Sequence, residues 1–149
     1  MNMPYLPCGI LATGFALLAA SQAFGDGVGQ IKVSTGSVFV ERAGKRLPAP
    51  VGTNIEASDS IVTGADGSAG ITFVDNSRLS LGPDSALAIN RFNFNQTTHD
   101  GGFDSALKRG TLSVVSGKLA KRSPDAMTVS TPSTILGVRG TEFVVRAGE

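Results

Sequence analysis

Ile71, Leu79 and Leu87 stand eight residues apart, and so do Phe73, Leu81 and Ile89. One residue separates the members of each pair, which is the period of a strand with a single buried face. Between the pairs fall Asp75-Asn76-Ser77 and Gly82-Pro83-Asp84-Ser85, residue types that reverse the backbone at little cost. Three short strands thus present their apolar pairs on one side and Thr72, Ser80 and Ala88 on the other. Phe73, Leu81 and Ile89 are expected to be buried together. This pattern predicts a coiled or sandwiched all-β body. Beyond the first 23 residues no stretch sustains a 3.6-residue apolar period, so almost no helix is expected.

The flanking segments extend the same reading. Ile31, Val33, Val38, Phe39 and Val40 around Gly36 read as one strand or two short paired ones, with Phe39 expected in the core. Residues 42–46, Arg-Ala-Gly-Lys-Arg, read as a solvated hairpin tip. Leu47-Pro48-Ala49-Pro50 cannot be a central strand, because each proline lacks a ladder donor; it is expected at an edge or as an extended crossing. Residues 59–63, 91–95, 111–117 and 127–130 read as further strands. Residues 96–102, Gln-Thr-Thr-His-Asp-Gly-Gly, are expected to form a long mobile loop, and residues 121–125 a turn.

Residues 1–23 carry no charged side chain, and residues 9–20 form an apolar run that ends before Ser21-Gln22-Ala23. Small residues at that point match what a signal peptidase reads. Twelve residues fall short of the ~20 a membrane-spanning helix requires. The expected organisation is an export signal over 1–23 and one domain over 24–149, without a stable transmembrane anchor. Cys8, the single cysteine, lies ahead of the apolar run, so the exported part would fold without disulfides. Thirteen basic against twelve acidic residues give a net charge of +1, which supplies no global pull toward nucleic acid or a membrane surface.

No constellation for catalysis stands out. His99 is the lone histidine, and zinc would want several nitrogen or sulfur donors where calcium would want a dense oxygen cluster. His99 is expected to be a solvated loop residue, a Ser-His-Asp triad has little support, and no cofactor is expected. Asp59, Asp66, Asp75 and Asp84 recur at intervals, but each falls in an expected turn, where aspartate bonds its own backbone. Lys108, Arg109, Lys118, Lys121 and Arg122 lie in a stretch free of acidic residues. They could bind an anion, whether an acidic polysaccharide, lipid phosphates or an acidic partner. If the strand over 111–116 separates the two groups, they sit at its opposite ends. The stretch lacks interleaved aromatics, which argues against single-stranded nucleic acid.

Residues 131–145, TPSTILGVRGTEFVV, read as two short strands broken at Gly137-Val138-Arg139-Gly140. Pro132 removes a donor near the start of the first. In the second, Thr141, Phe143 and Val145 share a face, with Phe143 expected to be buried. Arg139 is the one guanidinium between two apolar runs, and it is expected to hold the turn by bonding several acceptors at once.

This segment resembles the closing motif of the FecR domain, an extracytoplasmic all-β module. The residues that carry the likeness are Thr131, Pro132, Val138, Arg139, Gly140, Thr141, Phe143 and Val145. Gly36-Ser37-Val38, residues 59–64, Asp75-Asn76-Ser77 with Leu79-Ser80-Leu81, and Leu107 followed by Arg109-Gly110-Thr111 match further family marks. The resemblance runs from about Ile31 to Val145. It implies a short bent β-solenoid or a two-layered β-roll, with a plain β-sandwich as the alternative. Well-studied members form the periplasmic part of a membrane protein that regulates a sigma factor during ferric-siderophore uptake. The segments that flank the module there have no counterpart in residues 1–23, so iron regulation is not expected to carry over. The expected function is a non-catalytic, exported module, periplasmic, surface-associated or secreted, that binds another envelope protein or serves as a scaffold. The alternative is a periplasmic sensor that passes a ligand signal to a separate membrane protein.

Overall fold

The computed structural model describes residues 27–123, 125–138 and 142–148, most of which lie in short strands. In chain order these are β1 (Gly29–Thr35), β2 (Val38–Arg42), β3 (Lys45–Pro48), β4 (Asn54–Ile55), β5 (Ser60–Thr63), β6 (Ser68–Phe73), β7 (Arg78–Leu81), β8 (Ala86–Phe94) and β9 (Gly101–Val115). A short helix, α1 (Lys118–Arg122), precedes β10 (Met127–Ser130), β11 (Ile135–Gly137) and β12 (Glu142–Ala147). Lys121 and Arg122, expected in a turn, are therefore helical, and the helix buries Leu119.

The fifteen-residue strand β9 organises everything else. Its first half pairs antiparallel with β8 and parallel with β10, which in turn carries β11. From β8 that layer continues through β5 and β2 to β3. The second half of β9 pairs with β7 on one side and β12 on the other, and β7 leads through β6 and β1 to β4. The backbone changes layer near Gly110, whose φ is +91°. A Cβ there would fall 2.0 Å from the Ser85 hydroxyl oxygen, so only glycine fits the corner. One curled sheet thus folds onto itself as a two-layered roll of short strands.

The two layers close over a single core. Ile71, Phe73, Leu79, Leu81, Leu87 and Ile89 are all buried, as the eight-residue spacing requires, while Thr72, Ser80 and Ala88 face outward. Phe73 of one layer meets Phe92 and Phe103 of the other at ring-centroid distances of 5.4 and 4.6 Å, and Phe92 and Phe103 lie 4.9 Å apart. Offset and edge-on contacts of this kind add to the area that the rings bury.

Phe39 departs from expectation. Val38 and Val40 are the inward residues of β2, and Phe39 lies half-buried on the outer face beneath the Arg46 guanidinium, 5.4 Å from the ring centroid. The reason is phase. In Val-Phe-Val every residue is apolar, and pairing of Val38 with Thr63 and Val40 with Ile61 decides which two point in. Leu47 and Pro48 do lie on an edge, in β3, which among the described residues pairs only with β2. The expected loop over 96–102 is shorter: Asn95 Oδ1 accepts from the Thr97 and Thr98 amides, and β9 begins at Gly101. His99 stacks on Phe94 at 5.8 Å.

Candidate functional site

Three of the four aspartates do more than shape their own turns: Asp66 Oδ1 accepts from the Ser37 amide at 3.4 Å, and Asp59 and Asp75 each make several such bonds. Asp59 is 1 % exposed, and its carboxylate accepts from Arg42 Nε at 2.9 Å, from Arg42 Nη2 at 2.6 Å and from the Glu56 amide at 2.9 Å. Arg42 also donates to the Asn54 carbonyl and lies 3.4 Å from Glu56. The hairpin tip is Ala43-Gly44, both with positive φ, the backbone a two-residue hairpin turn requires. Arg42 is thus not part of a solvated tip. It folds back over the β4–β5 connection, and Asp59 holds its guanidinium above the usual arginine value.

Asp75 makes the second tie. Its carboxylate accepts from the amide and hydroxyl of Ser77 at 3.0 and 2.7 Å and from the Leu119 amide at 3.4 Å. Its carbonyl accepts from the Lys118 amide, and Ser77 Oγ accepts from the Gly117 amide. A Cβ at Gly117 would lie 2.3 Å from the Asp75 carbonyl oxygen. The Asp75-Asn76-Ser77 turn therefore docks the β9–α1 junction, some forty residues onward, rather than only reversing the chain.

The closing motif divides. Thr131 and Pro132 lie in the β10–β11 turn, where the Thr131 amide donates to the Thr134 carbonyl at 2.8 Å. Val138 is buried and donates to the Met127 carbonyl at 3.0 Å. Phe143 is half-buried against the core from β12. Arg139, Gly140 and Thr141 lie outside the described residues, and so does the segment 1–23.

The basic residues also divide. Lys108 and Arg109 sit where β9 bulges against Ala86, whereas Lys118, Lys121 and Arg122 lie on α1. The strand run 110–115 separates them by ~20 Å at ~3.3 Å per residue. Arg122 pairs with Asp100 at 3.3 Å on the surface. Residues that the sequence left unconnected join the first group instead. Arg46, Glu41 and Ser60 border one shallow groove with Lys108 and Arg109. Arg109 also borders a larger recess of about 470 Å3 with Arg146, Asp84 and Thr111. Arg146 arrives because β12 pairs it with Thr111, two residues past Arg109. Arg46 is held by Glu41 at 2.8 Å, but Lys108, Arg109 and Arg146 have no carboxylate partner among the described residues.

No group of three or more metal-ligating side chains occurs among the described residues, and no helix there is long and apolar enough to cross a membrane. No curated protein and no solved structure matches the chain. The sequence model of one family, FecR protein, matches residues 59–149, from Asp59 just before β5 through β12. Strands β1 and β2 precede that span yet pair with β6 and β5 inside it, so they complete both layers. With well over half of its length matched, the chain belongs to the FecR protein family.

Proposed function

We propose that this protein is an exported, non-catalytic FecR-family module that works by binding another protein of the cell envelope. The observation that carries this reading is how the buried polar groups are used. Asp59 and Asp75 join distant chain segments, and Thr63 Oγ1 accepts from the Ser85 amide while donating to the Gly82 carbonyl. These groups hold a surface in shape. The grooves around Arg109 lie on the outside of the roll, where a partner's surface rather than a small molecule would meet them.

The test is fractionation of cells that produce the protein, followed by cross-linking and identification of what co-purifies. Recovery in the envelope fraction with a reproducible protein partner lost on Arg109→Glu is the expected result. Cytoplasmic recovery, or a partner set unaltered by every outer-face substitution, would overturn it. The second reading, a sensor that relays a ligand signal, rests on family membership. It predicts a sigma factor and an outer-membrane receptor encoded alongside.

A further inference from the structure

Among the described residues four outermost strands end the two layers, and they differ in how they are protected. β3 carries Lys45, Arg46 and Pro48, and Pro50 follows it, while β4 has two residues and β11 three. Prolines, charges and brevity are the usual ways of keeping an edge from pairing with another chain. β12 lacks the prolines and the brevity, and its two charges, Glu142 and Arg146, are of opposite sign. It runs six residues, Glu142–Ala147, without proline or glycine, and among the described residues it pairs only with β9.

The side chains on its outer face are Glu142, Val144 and Arg146, all exposed, with Val144 66 % accessible. Val145 and Ala147 point into the core. Neither Glu142 nor Arg146 has an ion-pair partner among the described residues. The strand reads as acid, apolar, base at positions two residues apart.

From this symmetry we infer that β12 is a self-association edge, and that its partner is β12 of a second copy of the chain. A two-fold axis perpendicular to the sheet would run the strands antiparallel and keep both inner faces on the same side. Inner residues must then meet inner residues, so paired positions differ by an even number. The register centred on Val144 sets Val144 against its own copy and Phe143 against Val145. It also places Glu142 of each copy opposite Arg146 of the other. Directly opposed unlike charges stabilise an antiparallel pair, and like charges destabilise it. Shifting the register by one step either way loses both charge pairs. The joined layers form one continuous sheet, and the open amides and carbonyls of both edges find partners.

The experiment is sedimentation of the purified protein over a concentration series, with charge variants in parallel. The wild type should approach twice the monomer mass as concentration rises. Glu142→Arg and Arg146→Glu should each weaken association by about tenfold, because each places two like-charge pairs across the axis. The double exchange, Glu142→Arg with Arg146→Glu, should return association to near the wild-type level. A two-fold register also brings the Val144 Cα atoms to ~4.5–5.5 Å, within disulfide reach. Val144→Cys with Cys8→Ser should therefore oxidise to a covalent dimer, and this exposed position tests the idea even if a charge variant folds poorly. A monomer at every concentration, or single reversals that match the wild type, would overturn the proposal. So would an exchange that fails to restore association, or a cysteine variant that stays monomeric under oxidation.

Discussion

The Arg42 guanidinium grips the Asp59 carboxylate with two hydrogen bonds, Nε to Oδ1 at 2.9 Å and Nη2 to Oδ2 at 2.6 Å, across seventeen residues of chain. Register explains the meeting. Glu41 pairs with Ser60 between β2 and β5, so the next step along the two strands brings Arg42 to Asp59. A parallel fork of this kind is stronger and more directional than a point charge can provide.

Asp59→Ala should therefore destabilise the fold by about 2–3 kcal/mol. That is below the ~3–5 kcal/mol for losing half of a fully buried pair, because the Arg42 side chain keeps a third of its surface in water. Arg42→Lys should cost about 1–2 kcal/mol through loss of the fork. Chemical denaturation of both variants checks the order.

The same pair fixes a pH expectation. Asp59 raises the Arg42 value in the folded protein, so its contribution is complete below the unfolded arginine value and is lost only as pH climbs through the folded one. Both lie far above neutrality. The stability difference between wild type and Arg42→Ala should be equal at pH 6 and pH 9 within error. A difference that shrinks across that range would show that another group governs the site.

Phe73→Ala should cost about 3–5 kcal/mol, since the ring is 2 % exposed and touches Phe92 and Phe103 across the layers. Phe39→Ala should cost less than half as much, because that ring lies on the outer face. Denaturation midpoints of the two variants, measured side by side, decide the comparison.

What could be read from the sequence was what local periodicity carries. The alternation Ile71-Thr72-Phe73 and Leu79-Ser80-Leu81 discloses its own buried face, because a polar residue separates each apolar pair. Val38-Phe39-Val40 discloses none, so its phase had to wait for the partner strand. Contacts set by long-range register were silent in the same way. Arg42 with Asp59, and Arg109 with Arg146 around one recess, become neighbours only once β5 lies on β2 and β12 lies on β9. The closing motif gave two strands, β11 and β12, but Thr131 and Pro132, expected at the start of the first, lie in the turn before it, and its arginine lies outside the described residues.

The corner of β9 offers a sharper backbone test. Gly110 has φ of +91°, and any side chain would strike Ser85. Ser85 Oγ accepts from the Thr111 amide at 3.0 Å, so the collision also breaks the bond that seats the β7–β8 turn. Gly110→Ala should destabilise by about 2–4 kcal/mol, combining backbone strain with a displaced contact. Gly44→Ala, at a hairpin tip with open space around it, carries the positive-φ strain alone and should cost about 1 kcal/mol. Equal losses would mean that the Ser85 contact adds nothing.

Ser105 sits at the opposite extreme, as a polar group that gains from removal. It is 1 % exposed on β9, paired with Ile89 on one side and Val129 on the other. Its carbonyl accepts from Ser130 Oγ, but its own hydroxyl finds no partner among the described residues. A buried hydroxyl that leaves water without a replacement bond costs ~1–3 kcal/mol. Alanine removes that cost and leaves only a small void, since the hydroxyl is a single heavy atom. Ser105→Ala should therefore be neutral or stabilising by about 1 kcal/mol, raising the melting temperature by a few degrees in a domain of this size. Ser105→Val, which adds volume between Ile89 and Val129, should destabilise instead. Thermal unfolding of both variants separates the two causes: a melting temperature lowered by alanine would mean that the hydroxyl holds a bond essential to the β8–β9–β10 layer.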